Sequence, residues 1–135
     1  MNYDDLSDKY LEAINMSDQN SAHQIIDSIV REVACNFPKD NNDALLWFKN
    51  ALKHKSKKWF VAKVLARVNP MPKALFDDLV LSALLERNPS SNRYLIEPCV
   101  KTFGVEKVLL KTQEYSSVQE VIDNNGYEKV KYWVR

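Results

Sequence analysis

Apolar residues recur at helical spacing along almost the whole chain, and no other feature restricts the fold as strongly. Tyr3, Leu6, Tyr10, Leu11 and Ile14 form a first amphipathic stripe, with Asp4, Asp8 and Glu12 stacked four apart on another face. Ser21-Ala-His-Gln24 has the form of a capping box, so a second helix is expected to run to about Asn36, before Pro38. A third opens at residues 40–43 and turns Leu45, Phe48 and Leu52 inward. Ser56 opens a fourth, carrying Phe60, Val61, Val64, Leu65 and Val68, which Asn69-Pro70-Met71-Pro72 stops. The fifth starts at Pro72, a favoured first-turn residue, and ends at Asn88-Pro89. Residues 91–103 and 105–115 read as two more helices. A second capping box, Ser117-Val-Gln-Glu120, starts a short helix that ends near Asn124-Asn125-Gly126. Residues 127–135 fit helix or strand, because Val130, Tyr132 and Val134 alternate with Lys129 and Lys131.

Helix breakers are scarce. Glycine and proline number 2 and 5 in 135 residues, where average usage would give about 16 together. That argues against a β-sandwich, a collagen-like chain or a disordered linker. Gly104 and Gly126 lie too far apart to share a motif, so Gly-x-Gly-x-x-Gly, the P-loop and Gly-x-Ser-x-Gly are all absent. The chain reads as all-α.

The helices also repeat. Arg31, Arg67, Lys101 and Arg135 stand 36, 34 and 34 residues apart. Behind them Ile25, Val61 and Leu95 align, as do Ile26, Ala62, Ile96 and Val130, and Ile29, Leu65, Cys99 and Trp133. Each repeat is a helix ending in a base, a turn, and a second apolar helix, the pattern of an α-solenoid. The segments Trp59-Phe-Val-Ala-Lys-Val-Leu-Ala-Arg67 and Tyr94-Leu-Ile-Glu-Pro-Cys-Val-Lys101 resemble HEAT and armadillo-like repeats. Pro98 resembles the proline that kinks the first helix in many of them. The resemblance covers residues 23–135. It implies a single domain over 1–135, a short right-handed solenoid of helix pairs, with 1–20 as an N-terminal cap helix and 21–135 as repeats.

Charge is unevenly placed although the net is +1. Residues 1–45 hold nine acids and three bases, 46–67 seven bases and no acid, and 68–135 nine of each. The basic block, with Trp47, Trp59 and Phe60, suggests three roles: a solvated turn facing the acidic N-terminal segment, a surface for an acidic protein, or a grip on phosphates. The near-neutral total and the acids Asp77 and Asp78 speak against a continuous phosphate track. The first residues have neither a basic start nor an apolar run, and no apolar stretch reaches the roughly 18 residues of a membrane span. A cytoplasmic protein with no membrane association and free thiols at Cys35 and Cys99 is expected.

No catalytic, cofactor or metal residues are expected: His23 and His54 stand apart, and His23/Asp27 is a single i, i+4 pair. The expected function is a non-enzymatic protein-binding module, of the immunity or antitoxin type that neutralises a partner toxin. The alternative is a nucleic-acid-binding protein related to HEAT-like DNA glycosylases, with Lys49, Lys53, Lys57 and Lys58 on phosphate. In a solenoid the second helix of each pair lines the concave face. Trp47, Asn50 and Lys53, with Asp78 and Ser82, are therefore the expected partner-binding residues. Three readings of the C-terminus follow. In the first two, Arg135 ends the first helix of an unfinished pair, which leaves Val130, Trp133 and Val134 bare; the chain is then the front part of a longer solenoid, or that end is closed by a second copy, as a homodimer, or by a partner. In the third, residues 117–124 and 127–135 form a complete, shrunken pair.

Overall fold

A computed structural model describes residues 1–135. It is all-helical: helix accounts for 70% of the residues and no strand is present, about twice the helical share of an ordinary globular domain. The chain divides into two compact units, Met1–Val68 and Asn69–Arg135. The division falls at the Asn69-Pro70-Met71-Pro72 breaker.

The first unit contains α1 (Tyr3–Ile14), α2 (Gln19–Cys35), α3 (Asn42–Ala51) and α4 (Lys57–Leu65). Short polar side chains start three of them by accepting the orphan N–H groups of the first turn. Asn2 accepts from Asp5 and Asn41 from Ala44, each at 3.1 Å. Asp18 accepts from the backbone of Asn20 and Ser21. The expected cap at Ser21 is thus displaced: α2 begins earlier, and the Ser21 hydroxyl donates to Asp18. Ser56 does not cap α4 with its side chain. Instead His54 Nδ1 accepts from the backbone of Ser56 and Lys57, at 3.1 and 3.2 Å. α4 buries Phe60, Val61, Ala62, Val64 and Leu65 and packs on α1, α2 and α3.

In the second unit a 3₁₀ turn at Lys73–Leu75 leads into α5 (Phe76–Leu85). There follow α6 (Arg93–Phe103), α7 (Val105–Tyr115), α8 (Gln119–Asp123) and α9 (Gly126–Lys131). Gly104, at φ 90°, makes the sharp link between α6 and α7, a conformation that glycine adopts at little cost. α5 packs on α6, α7, α8 and α9. It buries Phe76, Leu79, Val80, Ala83 and Leu84.

The C-terminal ambiguity resolves as helix. Gly126 allows α9 to seat on the end of α5, because a Cβ there would lie 2.0 Å from the Leu84 carbonyl oxygen. Asn124 Nδ2 donates to the carbonyls of Leu84 (2.8 Å) and Glu86 (2.9 Å). Lys129 Nζ donates to the Arg87 carbonyl at 3.2 Å, and Trp133 Nε1 to that of Pro89 at 2.9 Å. This seating covers part of the apolar surface expected to be bare. α9 stops at Lys131, Val130 is fully buried, Val134 is buried, and α9 rests on α5, α7 and α8. Val130 and Val134, expected to be bare, are thus covered within the chain, while Trp133 is half-buried and Tyr132 exposed.

Gly126→Ala is expected to lower unfolding stability by about 2–3 kcal/mol, because backbone must move to admit the methyl group. Asn124→Ala should cost about 1–2 kcal/mol through two unsatisfied carbonyls. Urea unfolding measures both, and an unchanged midpoint for Gly126→Ala would refute the seating of α9.

Candidate interaction site

The expected partner-binding residues fall in both units. Trp47, Asn50 and Lys53 lie on α3 and the turn after it; Asp78 and Ser82 lie four apart on α5. Asn50 and Lys53 are exposed, whereas Asp78 and Ser82 are half-buried.

Trp47 is half-buried and firmly held. Its ring packs on Tyr3, Phe48 and Phe60, with centroids 5.4, 5.1 and 6.2 Å away. Its Nε1 donates to Asp4 Oδ1 at 3.0 Å, and Lys57 Nζ reaches the same oxygen at 3.2 Å. Both contacts stabilise the carboxylate, the indole first and the lysine second, and hold Asp4 below the usual carboxylate range. The exposed residues of α3 are therefore Asn42, Asp43, Leu46 (54% accessible) and Asn50, with Lys53 exposed in the turn beyond it.

Two of the seven bases of the basic block, Lys57 and Arg67, meet acids of the N-terminal segment. Besides Lys57 on Asp4, Arg67 is hydrogen-bonded to Asp27, which Arg31 also approaches at 3.7 Å. The Arg67 hydrogen bond and charge are the main reason that the Asp27 carboxyl is held low. Asp27 is thereby committed to arginines, and His23, four residues before it, is exposed. Lys58 lies over the Trp59 ring at 5.0 Å. On α5, Asp77 pairs with Lys111 at 3.2 Å, which also binds Glu114 at 2.9 Å. Cys35 and Cys99 are free thiols; Cys99 is buried, which pushes its thiol well above the usual range and keeps it protonated. No group of three potential metal ligands comes together.

The second unit carries a cavity of about 350 Å³ that sequence reasoning missed, lined by Arg93, Glu97, Val100, Lys101, Trp133 and Arg135. Four of these residues stand at i, i+4, i+7 and i+8 on α6, a spacing that marks one helix face. The other two arrive after α9, which no local pattern reveals. Arg93 Nε binds Glu97 at 2.8 Å, and its guanidinium lies 4.8 Å over the Trp133 ring. Comparison of the chain with family models, with curated proteins and with solved structures gives no match.

Asp4, Asp18 and Asp27 all titrate below their ordinary range when folded. Such groups add stability above the unfolded-state value, near pH 4, that disappears as pH falls through their lower folded-state values. Stability is thus expected to drop as pH falls below about 4, and the Asp4→Asn/Asp27→Asn double variant should flatten that slope. Urea midpoints at successive pH values measure the effect. Separately, Trp47→Ala should cost about 2 kcal/mol and Phe48→Ala about 4, because only Phe48 is fully enclosed.

Proposed function

We propose that this chain is a non-enzymatic protein-binding module built from short HEAT-like helix pairs in a right-handed solenoid. Support for the repeat comes from the column of bases. Arg31 and Arg67 meet on one carboxylate, and Lys101 and Arg135 line one cavity. α2 packs on α4 and α5 on α7, as first helices and second helices do in stacked repeats.

The binding role rests on one observation, the α3 surface. Trp47 is locked from behind by Asp4, Tyr3 and Phe60, while Leu46, Asn50 and Lys53 remain exposed. A rigid aromatic base under an exposed apolar residue and a cation suits a protein partner with an apolar contact and an acid. Little conformational entropy is lost when such a surface binds. The narrower form of the proposal is an immunity- or antitoxin-type blocker. Its cognate toxin would be met by the cation-bearing α3 surface.

Co-expression with the product of the neighbouring gene is expected to give a stoichiometric complex free of DNA and to relieve any toxicity. Leu46→Asp and Lys53→Glu should each weaken that complex at least about tenfold at an unchanged melting temperature. Retention on duplex DNA that falls steeply between low and moderate salt would point instead to phosphate binding by the same lysines.

A further inference from the structure

The two units contain the same charge constellation, wired differently. His23, Asp27 and Arg31 stand 70 residues before Arg93, Glu97 and Lys101, and Arg67 stands 68 before Arg135. In the first unit Asp27 serves both Arg31 and Arg67, so two positive charges share one negative and neither arginine lacks a carboxylate. In the second, an arginine occupies the position of His23. Arg93 takes Glu97 in a 2.8 Å bond, and neither Lys101 nor Arg135 has a carboxylate partner. The side chains lining the cavity then carry three positive charges against one negative. Arg135 lies over Tyr132, 4.8 Å from its ring, and Lys101 is exposed, so both cations are open to a ligand.

From this geometry we infer that the cavity between α6 and the segment after α9 binds the phosphate of an organic phosphomonoester. Two cations left over after the Arg93–Glu97 pair match a dianion better than a carboxylate's single charge. At about 350 Å³ the cavity exceeds what a bare phosphate needs. Val100 and Trp133 supply an apolar wall for the attached organic group. Trp133 is fixed by its bond to the Pro89 carbonyl and by Arg93 over its ring, so that wall is preorganised. The phosphate can belong to a small metabolite or to a phosphorylated side chain of a protein, since both present the same group.

The test is calorimetric titration of the full chain, with ¹H–¹⁵N spectra of the indole N–H groups, at constant ionic strength. The probes are phenyl phosphate, inorganic phosphate, benzoate and a phosphotyrosine tripeptide. Trp133→Phe assigns the Trp133 signal. Phenyl phosphate is expected to bind saturably, to move that signal, and to bind at least about tenfold tighter than benzoate. Inorganic phosphate should bind more weakly than phenyl phosphate. Lys101→Ala and Arg135→Ala should each lower the affinity about tenfold, whereas Lys53→Ala in the first unit should leave it unchanged. Glu97→Gln should strengthen binding, and Arg93→His, which frees Glu97 as in the first unit, should weaken it. A tripeptide that binds tighter than phenyl phosphate assigns the phosphate to a protein chain; equal or weaker binding assigns it to a metabolite. Absence of saturable binding, equal affinity for benzoate, insensitivity to Lys101→Ala and Arg135→Ala, or weakening by Glu97→Gln would overturn the assignment.

Discussion

Each unit is organised by one helix that is apolar around most of its circumference. α4 buries Phe60, Val61, Ala62, Val64 and Leu65, and α5 buries Phe76, Leu79, Val80, Ala83 and Leu84. A helix with so wide an apolar surface must have neighbours on several sides, and its free backbone groups must find partners wherever the ends approach the interior. The remaining elements meet these two demands. α1, α2 and α3 pack on α4, and α6 to α9 pack on α5. His54 receives the first N–H groups at the start of α4, while Asn124 and Lys129 donate to carbonyls at and just beyond the end of α5.

The shortage of glycine acquires a structural meaning here. Helices commonly end on a left-handed glycine that lets the last carbonyls be bonded by following N–H groups. This chain has one positive-φ glycine at a helix end, Gly104, whose own N–H bonds the Val100 carbonyl. Elsewhere asparagine side chains supply donors to C-terminal carbonyls. Asn15 Nδ2 bonds the Leu11 carbonyl on α1, and Asn36 Nδ2 that of Glu32 on α2. At α5 the donor comes from forty residues away, which couples the end of that helix to the presence of α8 and α9. The last pair is therefore part of the core of its unit, and Gly126 is required there for its lack of a Cβ rather than for backbone freedom.

Helix existence was legible in the sequence because apolar periodicity is a local property. Residues 105–115 were placed to the residue, and the stripes of the second, fourth and sixth helices are largely buried, though Ile25 is exposed. What local pattern could not supply was the second neighbour of a helix. The stripe of α3 correctly pointed Phe48 inward, but a single-stripe reading left Trp47 off the buried face, among the partner-binding residues. α1 brings Tyr3 and Asp4 to that other face, so Trp47 spans two contacts. The capping box at Ser21 failed because Asp18, just upstream, accepts the N–H groups of Asn20 and Ser21 and starts the helix before Ser21, which then lies inside the first turn. The strand alternative at residues 127–135 was excluded only by the close approach of Gly126 to Leu84, a contact across 42 residues.

The candidate sites were legible to different depths for the same reason. Asn50 and Lys53 were chosen as residues off the buried stripe, and they are exposed. The cavity of the second unit was invisible because Trp133 and Arg135 reach α6 only through the fold. Its charge state depends on a single position. An exposed histidine before Asp27 leaves that carboxylate to two arginines, whereas Arg93 before Glu97 withdraws the carboxylate from Lys101 and Arg135. An ion pair of this exposure contributes little to stability, and its gain is easily replaced by another partner. Its effect on binding is larger, because the choice of partner decides whether two cations remain available to a ligand. The identity of the residue four positions before a carboxylate thus separates a surface whose two arginines share one acid from one that keeps two cations without an acid.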